Sequence, residues 1–194
     1  MIDRAIVFLR DQLNVALAAT SIGGTEDAVT FPEGDKLDPP TLKTDQINAL
    51  LVALEQDHFM VRNDPFARTL ADGSTVRAEP EIRLNLMVLF VARFHVYEAG
   101  LAALSRVLAY FQGNPVFIGT TAPALDPRIE RLTVELHSLD MSEQNDLWGA
   151  LRLAYHPSLL FKVRMVVFQD ASAQPSVPVS EPRLELAHAN PAAS

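Results

Sequence analysis

The sequence predicts a single mixed α/β domain followed by a proline-rich tail. Two hydrophobic patterns alternate along residues 1–169: apolar residues three or four apart indicate helices, and apolar residues two apart indicate strands. Residues 170–194 instead hold four prolines among small residues, with too little apolar mass to fold alone. We therefore expect one mixed sheet of about four main strands flanked by helices, and then a tail or arm.

The first pattern predicts a helix over residues 2–20. Apolar residues recur there at helical spacing and form one stripe, with charged residues elsewhere around the helix. After Gly23-Gly24, the proline, glycine and aspartate content of residues 25–40 predicts a loop, with a short strand at residues 28–31. The helical stripe consists of Ile2, Ile6, Leu9, Leu13 and Leu17.

Residues 46–59, QINALLVALEQDHF, fit either a buried strand or a short helix, and we favour the strand. The next segment, residues 62–80, contains the turn pairs Asp64-Pro65 and Asp72-Gly73 and few apolar residues. It predicts a long exposed connection.

Residues 81–94, EIRLNLMVLFVARF, predict a strand that is half-buried where Arg83 and Asn85 lie and buried on both faces towards its end. A helix follows over residues 97–112, with Gly113 at the position where helices often end. The apolar stripe of this helix consists of Tyr97, Leu101, Leu104, Leu108 and Phe111.

The last three elements are predicted over residues 128–168. RIERLTVELHSL predicts a one-sided strand, because its apolar and polar residues alternate. Asp140 and Glu143 have the spacing of a capping box and predict a short helix through Leu147, Trp148 and Leu151, with Pro157 as the residue that terminates it. LLFKVRMVVF then predicts the final strand. The inward residues expected in the two strands are Leu132, Val134 and Leu136, then Phe161, Val163, Met165 and Val167.

The overall charge excludes some partners. With 16 basic and 24 acidic residues the net charge is −8, the wrong sign for binding a phosphate backbone, so we expect neither nucleic acid nor an anionic membrane as partner. No apolar run approaches the ~20 residues of a membrane span, and the N-terminus lacks the apolar block of a secretory signal. We expect synthesis in the cytoplasm.

Groups that could carry chemistry are few. The chain has no cysteine, and no two of its five histidines stand three or four residues apart, so we expect no metal; Gly23-Gly24 lacks the remainder of a phosphate-binding loop, so we expect no cofactor. His156 with Ser158 is the pair that would suggest a hydrolase, but residues two apart on an extended chain need not touch. We expect no catalytic residues, and an enzyme is the third hypothesis.

The segment NDLWGALRLAYHPSLLFKVRMVVFQ, residues 145–169, resembles the C-terminal signature of the tail-terminator, or cap, proteins of phage-tail-like extracellular contractile injection systems. QDHFMVRNDP, residues 56–65, resembles the family's acidic-to-Arg-Asn turn. LSRVLAYFQGNPVF, residues 104–117, resembles its helix ending in a Phe-Gln-x-Asn-Pro corner. Phe161 departs from the family pattern, which has tyrosine there. The signature residues include Asn145, Leu147, Trp148, Tyr155, Pro157, Ser158 and Arg164.

This resemblance implies a structural protein that forms a hexameric ring and ends the inner tube and sheath. The implied partners are the sheath and inner-tube proteins of the same particle and further copies of the chain, with assembly in the cytoplasm before the protein becomes part of the particle. An assembly chaperone or adaptor of the same particle is the alternative. In either case we expect Trp148 to pack on the sheet, and Pro157 and Ser158 to turn the chain into the last strand.

Residues 170–194 leave two alternatives open. The segment is either unstructured or an interaction arm that adds a strand at a sheet edge, in the way that we also expect the terminal sheath layer to be recognised. Its prolines would confine such an arm to an edge. The candidate arm residues are Val177, Val179, Leu184 and Leu186.

Overall fold

The protein is built as three layers: two helices, a six-stranded sheet and a third helix on the opposite face. The computed structural model describes residues 1–18, 28–33, 39–57, 67–69, 75–77 and 82–167. In chain order the elements are α1 (Ile2–Ala18), β1 (Val29–Thr30), β2 (Gln46–Gln56), β3 (Ala67–Thr69), β4 (Thr75–Arg77), β5 (Ile82–Arg93), α2 (Tyr97–Gly113), β6 (Val116–Ile118), β7 (Ile129–His137), α3 (Met141–Leu151) and β8 (Ser158–Val167).

The main sheet has the strand order β1-β2-β5-β8-β7-β6. Adjacent strands in this sheet are antiparallel, except that β1 runs parallel to β2. The mixed α/β class is confirmed, and the four main strands expected from the sequence are β2, β5, β7 and β8. β1 lies within the short strand expected at residues 28–31, and with β6, which was not expected, it extends the sheet from four strands to six.

The segment between β2 and β5 corrects a second expectation. We expected an exposed connection without strands, but β3 and β4 pair antiparallel as a separate two-stranded sheet, with Ala67 opposite Arg77. Each of these strands has only three residues, too few for an alternating pattern to show. The expected turn at Asp72-Gly73 lies outside the described residues.

The larger core lies between the sheet and helices α1 and α2. The expected stripe of α1 is confirmed at Ile6, Leu9, Leu13 and Leu17, which are buried with Ala5 and Phe8. At the centre of this core, three phenylalanine rings from β5, α2 and β8 pack together. Phe161 lies 5.8 Å from Phe90 and 4.9 Å from Phe111, measured between ring centroids.

Phe161 stands where the resemblance to the terminator family leads us to expect a tyrosine. Its side chain is buried among apolar residues. A tyrosine here would have to find a hydrogen-bond partner for its hydroxyl, because a buried polar group without one costs free energy. Phenylalanine avoids that requirement, so the departure fits the surroundings of the ring.

Helix α2 faces the sheet with a different stripe from the one expected. Leu104 and Phe111 are buried as predicted, but Tyr97 and Leu101 are exposed. Small residues are buried instead, and a Cβ added to Gly100 would be in van der Waals contact with the Phe94 ring at 3.4 Å. The sequence pattern counts large apolar residues, whereas the face of α2 that packs on the sheet also holds small ones. The buried residues of α2 are Gly100, Ala103, Leu104, Val107 and Phe111.

Two further residues differ from the expected burial. Leu136 was expected to be buried with Leu132 and Val134, but it is exposed although it stands opposite the buried Phe161 of β8. Asn85 was expected on a half-exposed face, but it is buried in the middle of the sheet between β2 and β8. The expected full burial of the later part of β5 is confirmed, with residues 86–92 all buried.

One side chain of α1 closes the edge of the sheet at β1. The carboxamide of Asn14 donates from Nδ2 to the Val29 carbonyl at 3.0 Å and accepts from the Val29 N–H at 2.7 Å. These are the backbone groups that another strand would bind, because β1 pairs on its other side with β2, where the Ile47 N–H donates to the Ala28 carbonyl. Asn14 therefore replaces one residue of a neighbouring strand and attaches α1 to the sheet.

Substituting Asn14→Ala should lower the free energy of unfolding by about 2 kcal/mol, because it leaves a part-buried backbone donor and acceptor without partners. Chemical denaturation measures this loss. Val15→Ala, next to it on α1 with a side chain that is 72% exposed, is the control and should change stability by less than about 0.5 kcal/mol. Equal effects from the two variants would show that Asn14 does not hold the edge.

Candidate functional site

The signature segment begins with α3, whose start has the predicted capping box. Asp140 Oδ1 accepts a hydrogen bond from the Glu143 N–H at 2.8 Å, and Glu143 Oε2 accepts one from the Asp140 N–H at 2.9 Å. Two N–H groups at the start of the helix are thus satisfied reciprocally. The predicted extent of this helix, through Leu151, is confirmed, but Pro157 is not the residue that ends it. The helix ends at Leu151, and Arg152 adopts the left-handed conformation with φ 53°.

Trp148 is the centre of a second, smaller core on the α3 face of the sheet. Its side chain is only 5% exposed and packs with apolar residues of β2, β5 and β8. Leu147 and Leu151 are partly buried against the same cluster. The position matches the packing role expected for the only tryptophan in the chain. The buried residues of this core are Leu42, Leu50, Met87, Leu89, Val91, Trp148 and Leu160.

The corner after α3 returns the chain to the sheet. The Tyr155 ring packs edge-on against Trp148 at 5.6 Å, yet the Tyr155 side chain is 64% exposed. The Pro157 carbonyl accepts a hydrogen bond from the Ala92 N–H at 2.9 Å, so Pro157 already belongs to the ladder between β5 and β8. Ser158 then starts β8 opposite Val91. The corner therefore positions the last strand.

His156 is held by this corner rather than turned towards a nucleophile. Its Nδ1 lies 2.7 Å from the Ala154 carbonyl, and its ring lies 6.0 Å from that of Trp148. In the described part of the chain no hydrogen bond joins His156 to Ser158. The geometry thus lacks the contact between nucleophile and base that a hydrolase of this type requires.

A cleft of about 600 Å³ lies between the corner, the end of β5 and the start of α2. At its rim Asp45, in a left-handed turn with φ 59°, binds His95 twice: Oδ1 accepts from the His95 N–H at 2.9 Å, and Oδ2 lies 2.7 Å from Nδ1. The His95 N–H, and then its ring, hold the pKa of Asp45 below its usual value. Both side chains are exposed, and the pair joins the turn before β2 to the segment after β5. The residues that line the cleft include Arg93, His95, Tyr97, Tyr155, His156 and Pro157.

The Phe-Gln-x-Asn-Pro corner caps the end of α2. Asn114 donates to the Tyr110 carbonyl twice, from its backbone N–H at 2.9 Å and from Nδ2 at 3.0 Å. The carbonyl of the following Pro115 accepts from the Val134 N–H at 2.8 Å, which leads the chain into β6. The motif therefore acts through its hydrogen bonds as a helix cap that starts an edge strand.

The remaining signature residues lie apart from one another. Asn145 is exposed on α3, and Arg164 on β8 forms an ion pair with Glu135 of β7 at 2.7 Å between Nη2 and Oε2. The acidic-to-Arg-Asn turn lies largely outside the described residues. Among those that are described, no three histidine or acidic side chains stand close enough to bind a metal ion. The candidate arm residues Val177, Val179, Leu184 and Leu186 also lie outside the described part.

Sequence reasoning missed an open sheet edge on β2. β1 covers β2 only at Ile47 and Asn48, so residues 49–56 have no neighbour on that side among the described strands. The Ile47 N–H points towards β1 and the Asp57 N–H points towards β5. Backbone groups alternate along a strand, and a bulge shifts this alternation between Leu51 and Ala53. Of the N–H groups that point away from β5, that of Ala49 still donates to the Thr30 carbonyl in the parallel ladder with β1, and those of Leu51, Leu54 and Gln56 are open.

Apolar side chains accompany this open edge. Leu51 is 42% exposed and Leu54 is 47% exposed. They stand opposite Val88 and Leu86, which belong to the larger core. Leu51 and Leu54 therefore lie on the face of the sheet that α1 and α2 cover. A signal was present in the sequence, since ALLVAL is apolar with neither lysine nor proline. The position of the strand at an edge, however, depends on the order of the sheet.

A family model described as the Pvc16 N-terminal domain matches residues 6–181. The chain belongs to this family. No curated protein matches it. Two solved structures share the fold of this family member at 15% sequence identity. One is the sheath/tube terminator of PVC, an extracellular contractile injection system, in its extended state; it has a TM-score of 0.56, and the alignment covers 94% of this chain and 64% of the terminator.

The other structure is the tube-terminating cap of the anti-feeding prophage, with a TM-score of 0.50 and coverage of 86% of this chain and 57% of the cap. The Pvc16-family chain thus spans less than two thirds of either solved chain. The resemblance to tail terminators stated from the sequence is confirmed. In the described residues, no helix is long and apolar enough to cross a membrane.

Trp148→Ala should lower the free energy of unfolding by about 3 to 5 kcal/mol, because it leaves a cavity in the smaller core and removes a large apolar side chain from it. Chemical denaturation followed by circular dichroism measures this loss. Tyr155→Ala is the matched control, since it removes the exposed ring of the same pair and should cost about 1 kcal/mol. A loss below about 1 kcal/mol for Trp148→Ala would contradict the packing role.

Changing His156 and Ser158 together to Ala should leave particle assembly intact, because neither side chain contributes a contact that catalysis would need. Electron microscopy of particles carrying the double variant, beside particles with the unchanged chain, measures this. A hydrolase activity of the purified protein that disappears in the double variant would instead support the enzyme hypothesis.

Proposed function

We propose that this chain is a structural cap that ends the inner tube and sheath of a contractile injection system. The observation that carries the proposal is the match of residues 6–181 to the Pvc16 N-terminal domain, supported by a fold shared with a sheath/tube terminator and a tube-terminating cap. We further propose that the cap is a hexameric ring that binds the terminal sheath layer and is assembled in the cytoplasm.

The distribution of chemistry in the described residues supports a structural role. The strongest candidate for a catalytic pair, His156 with Ser158, serves a corner. The histidine and carboxylate of the cleft rim, His95 and Asp45, bind each other. What the protein offers to partners is instead backbone and apolar surface. A subunit of a ring needs separate surfaces for its two neighbours and for the layer beneath, and the fold has more than one open surface.

We propose that the terminal sheath layer binds partly by strand addition at the end of β7. β6 covers β7 only at residues 131–133, and the Val134 N–H is bound by Pro115. Backbone groups alternate, so the N–H and C=O of Leu136 point to the same side, beyond the end of β6. The exposed Leu136 side chain and the ion pair between Glu135 and Arg164 flank this stretch. An extended segment of the sheath would find both hydrogen bonds and an apolar contact there.

Deleting the gene should give sheaths and tubes of uncontrolled or unstable length, because nothing would then stop growth at the last layer. Length distributions from negative-stain electron microscopy measure this, and the unchanged gene supplied in trans should restore a fixed length. Normal particles of fixed length without the gene would contradict the cap and favour the assembly chaperone or adaptor.

The purified protein provides a second arm of the same experiment. Imaged alone it should form rings, and imaged with sheath and tube proteins it should lie at one end of each assembled tube. A protein that assists assembly but is missing from finished particles is an adaptor or chaperone, which is the outcome that would replace this proposal.

A further inference from the structure

The open stretch of β2 lacks the features that usually keep sheet edges from pairing. Residues 49–56 contain no lysine and no proline, and Glu55 is their only charge. Natural proteins protect long exposed edges with such residues, with bulges or with a covering element. Here a single bulge is present, and the apolar side chains of Leu51 and Leu54 are exposed beside it. At β1, by contrast, Asn14 satisfies the edge. The β2 stretch therefore has the character of a surface that is covered in the assembly.

The chain contains a segment that fits this edge in length and pattern. Residues 183–190, RLELAHAN, lie between Pro182 and Pro191 and are free of proline over the same length as residues 49–56. Leu184 and Leu186 are two residues apart, so they share one face of an extended chain, as Leu51 and Leu54 share one face of the sheet. Arg183 and Glu185 give the segment one charge of each sign, so it is neutral overall beside an edge whose one charge is that of Glu55.

The connection to this segment is long enough to reach either its own copy or a neighbouring copy, and the proposed ring supplies the neighbour. β8 ends at Val167 opposite Ile82 of β5, and β2 lies on the other side of β5 at the same end of the sheet. At a strand spacing of about 4.8 Å, the edge of the same copy is only about 10 Å away. Residues 168–182 hold three prolines and, extended as a polyproline II helix, would span roughly 45 Å. That span suits a second domain with a radius of gyration of roughly 16 Å.

We propose that residues 183–190 of one copy add as a strand to residues 49–56 of the neighbouring copy, with Leu184 and Leu186 on Leu51 and Leu54. The backbone hydrogen bonds of the edge supply affinity, and the leucines set the register. The inference rests on the proposed function, because the ring supplies the neighbouring copy. It differs from the sheath contact, which we place at β7 on the opposite side of the sheet.

Amide hydrogen exchange of the purified full chain, measured residue by residue by NMR, tests this pairing. The outward N–H groups of Leu51, Leu54 and Gln56 should exchange at least about tenfold more slowly when paired than when open to water. Leu184→Pro should remove this protection, because proline takes an N–H from the added strand. Ser172→Pro, in the same proline-rich stretch, is the matched control and should leave the protection unchanged.

Dilution then distinguishes pairing between two copies from pairing within one copy. Pairing between copies loses protection at the concentration where sedimentation shows the assembly dissociating, whereas pairing within one copy is independent of concentration. The variant Leu54→Lys should weaken the assembly at least about tenfold, and Val15→Lys, an equally large change on α1, should not. The inward N–H groups of Leu50 and Glu55 report that each variant is folded.

Three outcomes would overturn the proposal. The outward N–H groups could exchange as freely as open ones in the assembled protein. They could be protected but insensitive to Leu184→Pro, which would assign the edge to another occupant. They could be protected independently of concentration, which would place the arm on its own copy. Particle length tests the proposed cap function, and amide protection tests the pairing of residues 183–190 with β2. The failure of one proposal is therefore distinguishable from the failure of the other.

Discussion

Burial of β5 on both faces and along both edges is the constraint on which the rest of the structure depends. β2 and β8 take up its backbone groups, while α1 and α2 cover one face and the layer of Trp148 covers the other. Parallel strands usually occupy such a position, and here an antiparallel strand does. The consequence for its sequence is a continuous apolar run, and the consequence for the fold is that any open backbone must lie farther out, on β2, β7 and the short strands beside them.

The open backbone groups of the outer strands can be satisfied in two different ways. At β1 a side chain satisfies them, because the Asn14 carboxamide provides both a donor and an acceptor with the geometry of a peptide group. Among the described residues, no such side chain reaches the later part of β2. An added strand is the other general solution, since it satisfies every second residue at once and brings side chains with it. A protein with the proposed role of a cap on an assembly has reason to use both.

Sequence patterns predict the long helices and strands of this fold. They fail for strands that are too short to show a period and for the helix face that is set by close packing. The stripe of α1 and the alternation in β5 and β8 extend over enough residues for their periods to be read, and so does the capping box of α3. β3, β4 and β6 have three residues each, which is less than two periods of alternation. The face of α2 was misjudged for another reason. Gly100 and Ala103 face the sheet because they are small, and a hydrophobic pattern gives no weight to smallness.

The candidate site shows the same division. The packing of Trp148 follows from residue type and local spacing, so it was open to prediction. The ion pair of Arg164 with Glu135 and the closure of β1 by Asn14 join residues far apart in the chain, and only the strand order brings them together. The open stretch of β2 is of this second kind. Its residues look like an ordinary buried strand until the neighbour on one side is found to end at Asn48.

The place of Trp148 gives the protein a built-in optical reporter. It is the only indole in the chain, and it sits in the smaller core with Tyr155 and His156 beside it, while the larger core between the sheet and helices α1 and α2 holds only phenylalanine and tyrosine rings. Its emission therefore reports on the α3 layer alone, whereas far-ultraviolet circular dichroism is dominated by the longer helices of the opposite layer. The two signals follow the two faces of one sheet separately, and whether they change together measures how cooperatively those faces are coupled through β5.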